Sequence, residues 1–379
     1  MAAWSDLTND VLEHITSFLA FPDHCRFGAV CKNLRSVLKW RRYPPAPQLP
    51  WLVLEEEKET RKRKFYNLSD GKQYSIEIPE LQGRYICGSS HGWLFAIDIK
   101  INGILVNPFT RECYELPPFP PYSTKSNVTT LVEKVPSDYT GGPRNYTFEE
   151  MQTKIVFKAF LSHDPKERSD FTAVIMFGCL RTPAIWRPGD LCWTVVDGPQ
   201  RSMEDVVYFK GNFYVLSPMN ELYVMDFESE PKLIEVGPQI DIEDCPFERY
   251  LIDFNGNLLL IERFCDYEDE EQELNVTVGF NVMEPDLEEN ILYEWSDIDD
   301  FALFLGRNSS LYVNSSHFPK CKRNGIYFTH LTRSFSAAKF GCHDLGVFDM
   351  TDKTISKFYS AEVFPPLVGS PVWFTPNPW

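Results

Sequence analysis

Val206-Val207-Tyr208-Phe209-Lys210-Gly211-Asn212-Phe213-Tyr214-Val215, followed by Leu222-Tyr223-Val224-Met225-Asp226, is the stretch on which the fold turns. β-Branched and aromatic residues fill the strand positions, and the glycine allows a tight reversal between them. The unit therefore reads as strand, Gly-containing turn, strand, and a third strand that ends at an Asp. Related units recur: Gly92 to Asp98 leads to Ile104 to Thr110, Tyr250 to Leu260 leads to Val276 to Val282, and Gly325 to Thr329 leads to Gly346 to Met350. Phe65 to Leu68 and Gln73 to Ile78 flank Ser69-Asp70-Gly71-Lys72, whose Asp-Gly is a hairpin signal. Gly211 and Gly256 lie 45 residues apart, near the length of one propeller blade. Gly92 and Gly325 fall off that period, so some blades should carry insertions.

One such unit exposes an apolar face, and several packed radially around an axis bury it while leaving only short edges. Residues 51–379, at about 50 residues per blade, predict a mainly β chain ending in a β-propeller-like domain of six blades, with seven as the nearest rival. A β-sandwich would use fewer strands than this length offers.

The 379 residues are 43% hydrophobic and 15% aromatic, ample for a packed core. The net charge is −17, and the acidic excess falls beyond residue 64, because residues 1–40 are balanced and 41–64 are basic. Such a domain repels phosphate backbones, which excludes nucleic acid as the main partner and suits a basic protein surface. Ten cysteines with no C-x-x-C pair indicate neither a zinc site nor a disulfide framework, and no motif calls for a metal or cofactor. With no apolar run near 18 residues and no leader pattern, the expectation is a protein of the nucleus, the cytoplasm or both, with no membrane partner. Arg61-Lys62-Arg63-Lys64 reads either as an import signal or as a charged hairpin.

Ahead of the strands, Trp4 to Trp40 is the part with helical periodicity. Val11, Leu12, Ile15, Phe18 and Leu19 cover an arc of roughly 120° at about 100° per residue. Phe21-Pro22 is expected to stop that helix and Asp23 to cap a second, on which Phe27, Val30, Cys31, Leu34 and Leu38 share a face. So short a segment cannot bury enough surface alone, so its apolar side chains should meet something else.

Trp4-Ser5-Asp6-Leu7-Thr8-Asn9-Asp10-Val11-Leu12-Glu13-His14-Ile15, with Phe21-Pro22-Asp23 and Phe27-Gly28-Ala29-Val30-Cys31-Lys32-Asn33-Leu34-Arg35, resembles an F-box. Thr8 stands where that family has proline, and Leu34 where it has tryptophan. Threonine can open a helix by capping, and leucine keeps a smaller apolar anchor. Trp51 to Leu54, Cys87 to Leu94, Asn107 to Thr110, Ala302 to Gly306, Asn324 to Thr329 and Trp373 to Pro376 are together similar to the KIB-type C-terminal domain of a large plant F-box family. The expected organisation is an F-box over residues 1–42, a Pro-rich linker over 43–50 and the propeller over 51–379.

The resemblance implies a non-catalytic substrate receptor of a Skp-cullin-F-box ubiquitin ligase. Leu7, Val11, Leu12, Ile15, Val30, Cys31 and Leu34 would dock on a Skp-type adaptor, which brings the cullin and RING subunits. A protein target, which the sequence does not name, would be held by loops of one propeller face, including Pro117 to Asn145. Two rivals stand beside this reading: a scaffold that recruits no adaptor, and a hydrolase. The latter rests on Gly88-Ser89-Ser90-His91-Gly92, which satisfies the G-x-S-x-G pattern. That chemistry needs a strand-to-helix turn, whereas Trp93 to Asp98 reads as a strand, so the motif is expected to be a hairpin turn. Asp299-Asp300 and the run Asp266 to Glu273 lack calcium-loop spacing, and the run reads as a solvated loop with basic-substrate capture as its alternative. His163, His317, His330 and His343 are isolated in sequence and read as surface or satisfied core residues.

Overall fold

The computed structural model describes residues 7–19, 21–38, 48–57, 59–118, 130–132, 145–147, 156–178, 180–238, 246–267, 275–306, 310–331, 343–359 and 371–377. Most of the expected linker, residues 43–47, lies outside them, as does most of the acidic run 266–273.

Three helices lead the chain: α1 (Asn9–Thr16), α2 (Phe21–Val30) and α3 (Lys32–Val37). Two expectations are corrected here. Phe21-Pro22 opens α2 instead of separating it from α1, because a proline in the first turn forfeits no helical hydrogen bond. Cys31 is fully extended (φ −159°, ψ 167°) and its Sγ accepts the Leu34 amide at 3.5 Å, so it ends one helix and caps the next. Phe27, Val30, Cys31, Leu34 and Leu38 therefore do not share one helix face. Thr8 opens α1 through its carbonyl, which accepts from the Val11 and Leu12 amides at 3.1 Å, without a side-chain cap. Leu12, Leu34 and Val37, with Phe27 against them, form the small core of this unit.

The strands follow in chain order. They are β1 (Trp51–Glu56), β2 (Arg63–Asn67), β3 (Lys72–Ile76), β4 (Tyr85–Ser90), β5 (Trp93–Ile97), β6 (Gly103–Val106) and β7 (Cys113–Glu115). A small pair, β8 (Thr130–Val132) and β9 (Asn145–Thr147), precedes β10 (Val156–Leu161), β11 (Ala173–Phe177), β12 (Thr182–Trp186) and β13 (Thr194–Val195). Then come β14 (Asp205–Phe209), β15 (Asn212–Leu216), β16 (Leu222–Asp226), β17 (Lys232–Val236), β18 (Glu248–Phe254), β19 (Asn257–Tyr267), β20 (Asn275–Asp286) and β21 (Ile291–Trp295). The last are β22 (Phe301–Gly306), β23 (Leu311–Asn314), β24 (Gly325–Leu331), β25 (His343–Asp349), β26 (Ile355–Ser356) and β27 (Val372–Phe374).

These strands make six blades: β27-β1-β2-β3, β4 to β7, β10 to β13, β14 to β17, β18 to β21, and β23-β22-β24-β25-β26. The hydrophobic clusters lie at the seams between blades, which is what radial packing requires. Trp93, Phe95 and Leu105 of the second blade meet Phe171, Ala173 and Trp186 of the third. The remaining five seams are filled in the same way. The ring closes where the C-terminal β27 pairs antiparallel with β1, Leu52 opposite Trp373.

In five blades successive strands are antiparallel neighbours, so the inner strands β27, β4, β10, β14 and β18 all begin on the same face. On the opposite face three of the first hairpins are two-residue turns with both φ positive: His91-Gly92 (52°, 81°), Lys210-Gly211 (44°, 90°) and Asn255-Gly256 (50°, 85°), whereas residues 162–172 join β10 to β11. The sixth blade departs from this plan. Gly325 opens β24, which runs parallel to β22 and pairs Ala302 with Gly325, so Gly325 is not the turn of a hairpin unit. The long connections of residues 119–129, 148–155, 239–245, 268–274, 332–342 and 360–370 adjoin blade-strand ends on the face where the inner strands begin. Of the expected target-binding stretch 117–145, residues 119–129 and 133–144 lie outside the described set.

Candidate functional site

The helical unit divides the seven residues expected to meet an adaptor. Leu12 is fully buried and Leu34 nearly so, at 0% and 4% exposure, because they hold the three helices together. Leu7, Val11 and Val30 are exposed at 36%, 45% and 70%, Cys31 is exposed and Ile15 half-buried. Val11, His14 and Phe18, spaced i, i+3 and i+7, form one stripe of α1 and the turn after it. Phe18 is 74% exposed, and its ring meets the His14 ring edge-on at 4.9 Å. A largely exposed phenylalanine on the same stripe as an exposed valine is an apolar surface open to a partner. Phe18 belongs with the exposed residues, and the helical periodicity that marked it could have placed it there.

At the propeller face where the inner strands begin, buried charges join neighbouring strands. Lys158 of β10 is salt-bridged to Asp205 of β14, whose second oxygen accepts the Leu251 amide of β18 at 2.8 Å. Arg249 of β18 reaches Glu204 at 3.2 Å and Glu262 at 3.5 Å. Burial pushes the Glu204 and Asp205 carboxyls up, against the pull of Arg249 and Lys158 respectively. Arg263 of β19 binds Glu248 at 3.1 Å and Asp344 of β25 at 2.6 Å, and its Nε donates to Thr277 Oγ1 at 2.7 Å. The cavity among Phe157, Arg181, Glu204, Asp205, Arg249 and Tyr250 is only about 10 Å³. That is room for one water, far below the several hundred Å³ of a small-molecule pocket.

The G-x-S-x-G motif is structural. Ser90 ends β4 opposite Trp93, and the His91-Gly92 turn leads directly into β5, so no helix follows the serine. The Ser89 hydroxyl donates to the Trp373 carbonyl of the closing strand. A Cβ on Gly88 would lie 2.7 Å from the Ala159 carbonyl oxygen, so the glycine lets the second and third blades meet. Among the described residues no group of His, Cys, Asp and Glu is arranged to hold a metal, and no helix is long and apolar enough to cross a membrane.

A three-helix unit with uncovered apolar side chains, followed by a closed ring of blades, defines the class: an F-box protein with a propeller. The F-box domain model matches residues 4–44, and the KIB1-4 beta-propeller model matches residues 65–349. The chain belongs to the KIB1-4 beta-propeller family. Its relatives in Arabidopsis thaliana include F-box protein At4g35733, 24% identical over 96% of this chain and 98% of that one. F-box protein SKIP23 is 24% identical over 100% of this chain and 96% of its own, and F-box/kelch-repeat protein At1g57790 is 24% identical over 86% and 83%. Among solved structures, a Bacteroides caccae protein of unknown function covers 86% of this chain and 99% of its own at 11% identity, with a TM-score of 0.36. F-box proteins of this organisation serve in general as non-catalytic substrate-recognition subunits of Skp-cullin-F-box ligases.

Proposed function

We propose that this chain docks on a Skp-type adaptor, and through it on cullin and RING subunits, by Leu7, Val11, Ile15, Phe18, Val30 and Cys31, while the propeller holds a protein target. The exposed apolar stripe on a helical unit whose own core is only Leu12, Leu34, Val37 and Phe27 carries this reading. Burying a few such anchors in a partner's groove supplies most of the affinity of a helix-in-groove contact. Leu12 and Leu34 support the surface from beneath. The target is taken on the face where the long connections leave the strands. The acidic chain suits a target with a basic surface and not a nucleic acid. Ubiquitin transfer is then accelerated by proximity, with no residue of this chain on the reacting bond. The setting is the nucleus, the cytoplasm or both.

The test is co-purification of the full chain with a Skp-type adaptor. Val11→Asp and Val30→Asp are expected to lose the adaptor while the urea midpoint of the propeller stays unchanged. Retention of the adaptor by both variants would sink the proposal and leave an adaptor-independent scaffold. Leu12→Asp is not diagnostic, since it breaks the helical core itself.

A further inference from the structure

The outer edge of the fifth blade is an open strand surrounded by charge of one sign. β21 (Ile291–Trp295) ends the order β18 to β21, and among the described residues its backbone bonds as a strand only to β20. Alternate N–H and C=O groups of such a strand point away from the sheet. Side chains alternate between the two faces of a strand, so Ile291, Tyr293 and Trp295 share one face. Trp295 packs against the core of the fifth and sixth blades, whereas Ile291 and Tyr293 lie farther along and are each 45% exposed.

Residues 284–300 hold eight acids and no lysine or arginine. Glu284 accepts from Trp295 Nε1 at 3.1 Å and Glu289 from the Tyr293 hydroxyl at 3.3 Å, which keeps both carboxylates beside the strand. Glu294 of β21 is itself exposed. Asp300 pairs with Arg323 at 3.4 Å, and among the described residues no lysine or arginine pairs with the other seven. The Glu289 charge pushes the Tyr293 phenol up, with Asp286 and Glu284 adding to it.

The other outer strands lack this combination. β7, β13 and β26 are two or three residues long. The edge of β17 is already used, since the Leu233 amide donates to the Asp197 carbonyl at 2.7 Å and the Asp197 amide to the Pro231 carbonyl at 2.8 Å. β3 carries Lys72 and no acid.

We propose that β21 is a docking surface on the rim of the ring, where a basic partner protein adds an extended segment bearing lysine or arginine as a fifth strand of the blade. Only an extended backbone satisfies outward N–H and C=O groups at strand spacing. The cations of that segment lie among the carboxylates, and its apolar side chains cover Ile291 and Tyr293. Charged side chains commonly guard a sheet edge against pairing. Here the guard has one sign, so it repels a second copy of this acidic chain and draws in a basic strand. The contact goes beyond adaptor docking and does not depend on what the connection-bearing face takes.

Fluorescence anisotropy of the full chain with a labelled peptide of alternating lysine and valine, twice as long as β21, tests this. The peptide is expected to bind, and its glutamate-for-lysine version to fail. Tyr293→Lys combined with Glu294→Lys, both at exposed positions, is expected to weaken binding by about tenfold at an unchanged urea midpoint. N-methylation of the peptide backbone keeps its charge and removes its edge hydrogen bonds, and is expected to weaken binding by about the same factor. Equal affinity of the methylated peptide would reduce the contact to charge alone and overturn strand addition. Equal affinity of the variant chain would place binding elsewhere, and no binding of the parent peptide would remove the site. A dimer of the parent chain that the variant loses would name a second copy as the occupant and overturn the proposal.

Discussion

Asn377, three residues past the closing strand, donates its side-chain amide to Asp164 Oδ2 at 2.6 Å. Asp164 Oδ1 accepts from Trp93 Nε1 at 3.0 Å, and the Asn377 carbonyl accepts from Asn107 Nδ2 at 2.7 Å. The tail thus stitches the second blade to the third after β27 has completed the first. Trp373, fully buried with its Nε1 donating to the Leu305 carbonyl at 2.8 Å, anchors the seam between the sixth blade and the first. Trp373→Ala should cost about 3–5 kcal/mol in urea unfolding and Asn377→Ala about 1 kcal/mol. An unchanged midpoint for Trp373→Ala would mean that β27 does not close the ring.

Gly92 and Gly211 occupy the same turn position in different blades, with φ of 81° and 90°. A methyl at Gly211 would meet nothing within 4 Å, whereas at Gly92 it would lie 2.3 Å from the Asn377 Cβ. Gly211→Ala should therefore cost about 1 kcal/mol, the backbone penalty alone. Gly92→Ala should cost roughly 1–3 kcal/mol more from the overlap. Equal losses in thermal unfolding would contradict the placement of the tail.

The buried Lys158–Asp205 pair joins three blades, since Asp205 also receives the Leu251 amide. Removing one partner strands the other charge away from water, so Lys158→Met should cost about 3–5 kcal/mol. Lys158→Met combined with Asp205→Asn should cost less than the sum of the two single changes, because no uncompensated charge remains. Additive losses in a double-mutant cycle would show that the two groups do not interact.

Thiol reactivity follows burial. Among the cysteines whose side chains are described, Cys31 and Cys192 are exposed and should alkylate first at pH 8. Cys113 is exposed but should follow, as burial of its sulfur and the Glu80 charge push its thiol up. Burial pushes Cys87 up to about 12, and Cys265 and Cys321 to about 11. At pH 8 a thiol that titrates near 12 is ionised about once in ten thousand molecules. Raising pH toward 11 should bring Cys265 and Cys321 into reach before Cys87. Peptide mass spectrometry gives the order, and early modification of Cys87 in the folded chain would contradict its burial.

The hairpins at Gly92, Gly211 and Gly256 are legible because their signal is local: strand formers on both sides of a residue that tolerates positive φ. The count of six blades is legible from length and spacing for the same reason. Gly325 misleads because a glycine before an apolar run looks alike whether it turns a hairpin or opens a strand beside a parallel neighbour, and only the pairing with Phe301–Gly306 distinguishes them. Helical periodicity locates the apolar arc of α1 but does not say which half faces inward. Leu12 turns to the core and Val11 to solvent because Leu34 and Val37 arrive on one side only.

What the sequence by itself determined is the class of each segment: which stretches are helix or strand, where hairpins turn, and that an F-box precedes a propeller. These follow from propensity and periodicity within a few residues of chain. The tertiary structure alone decided how Asn377 meets Asp164, how Lys158 meets Asp205, and how Arg263 joins Glu248 and Asp344. Those partners come from different strands and even different blades. Burial at a shared seam, where water no longer competes, is what selects them.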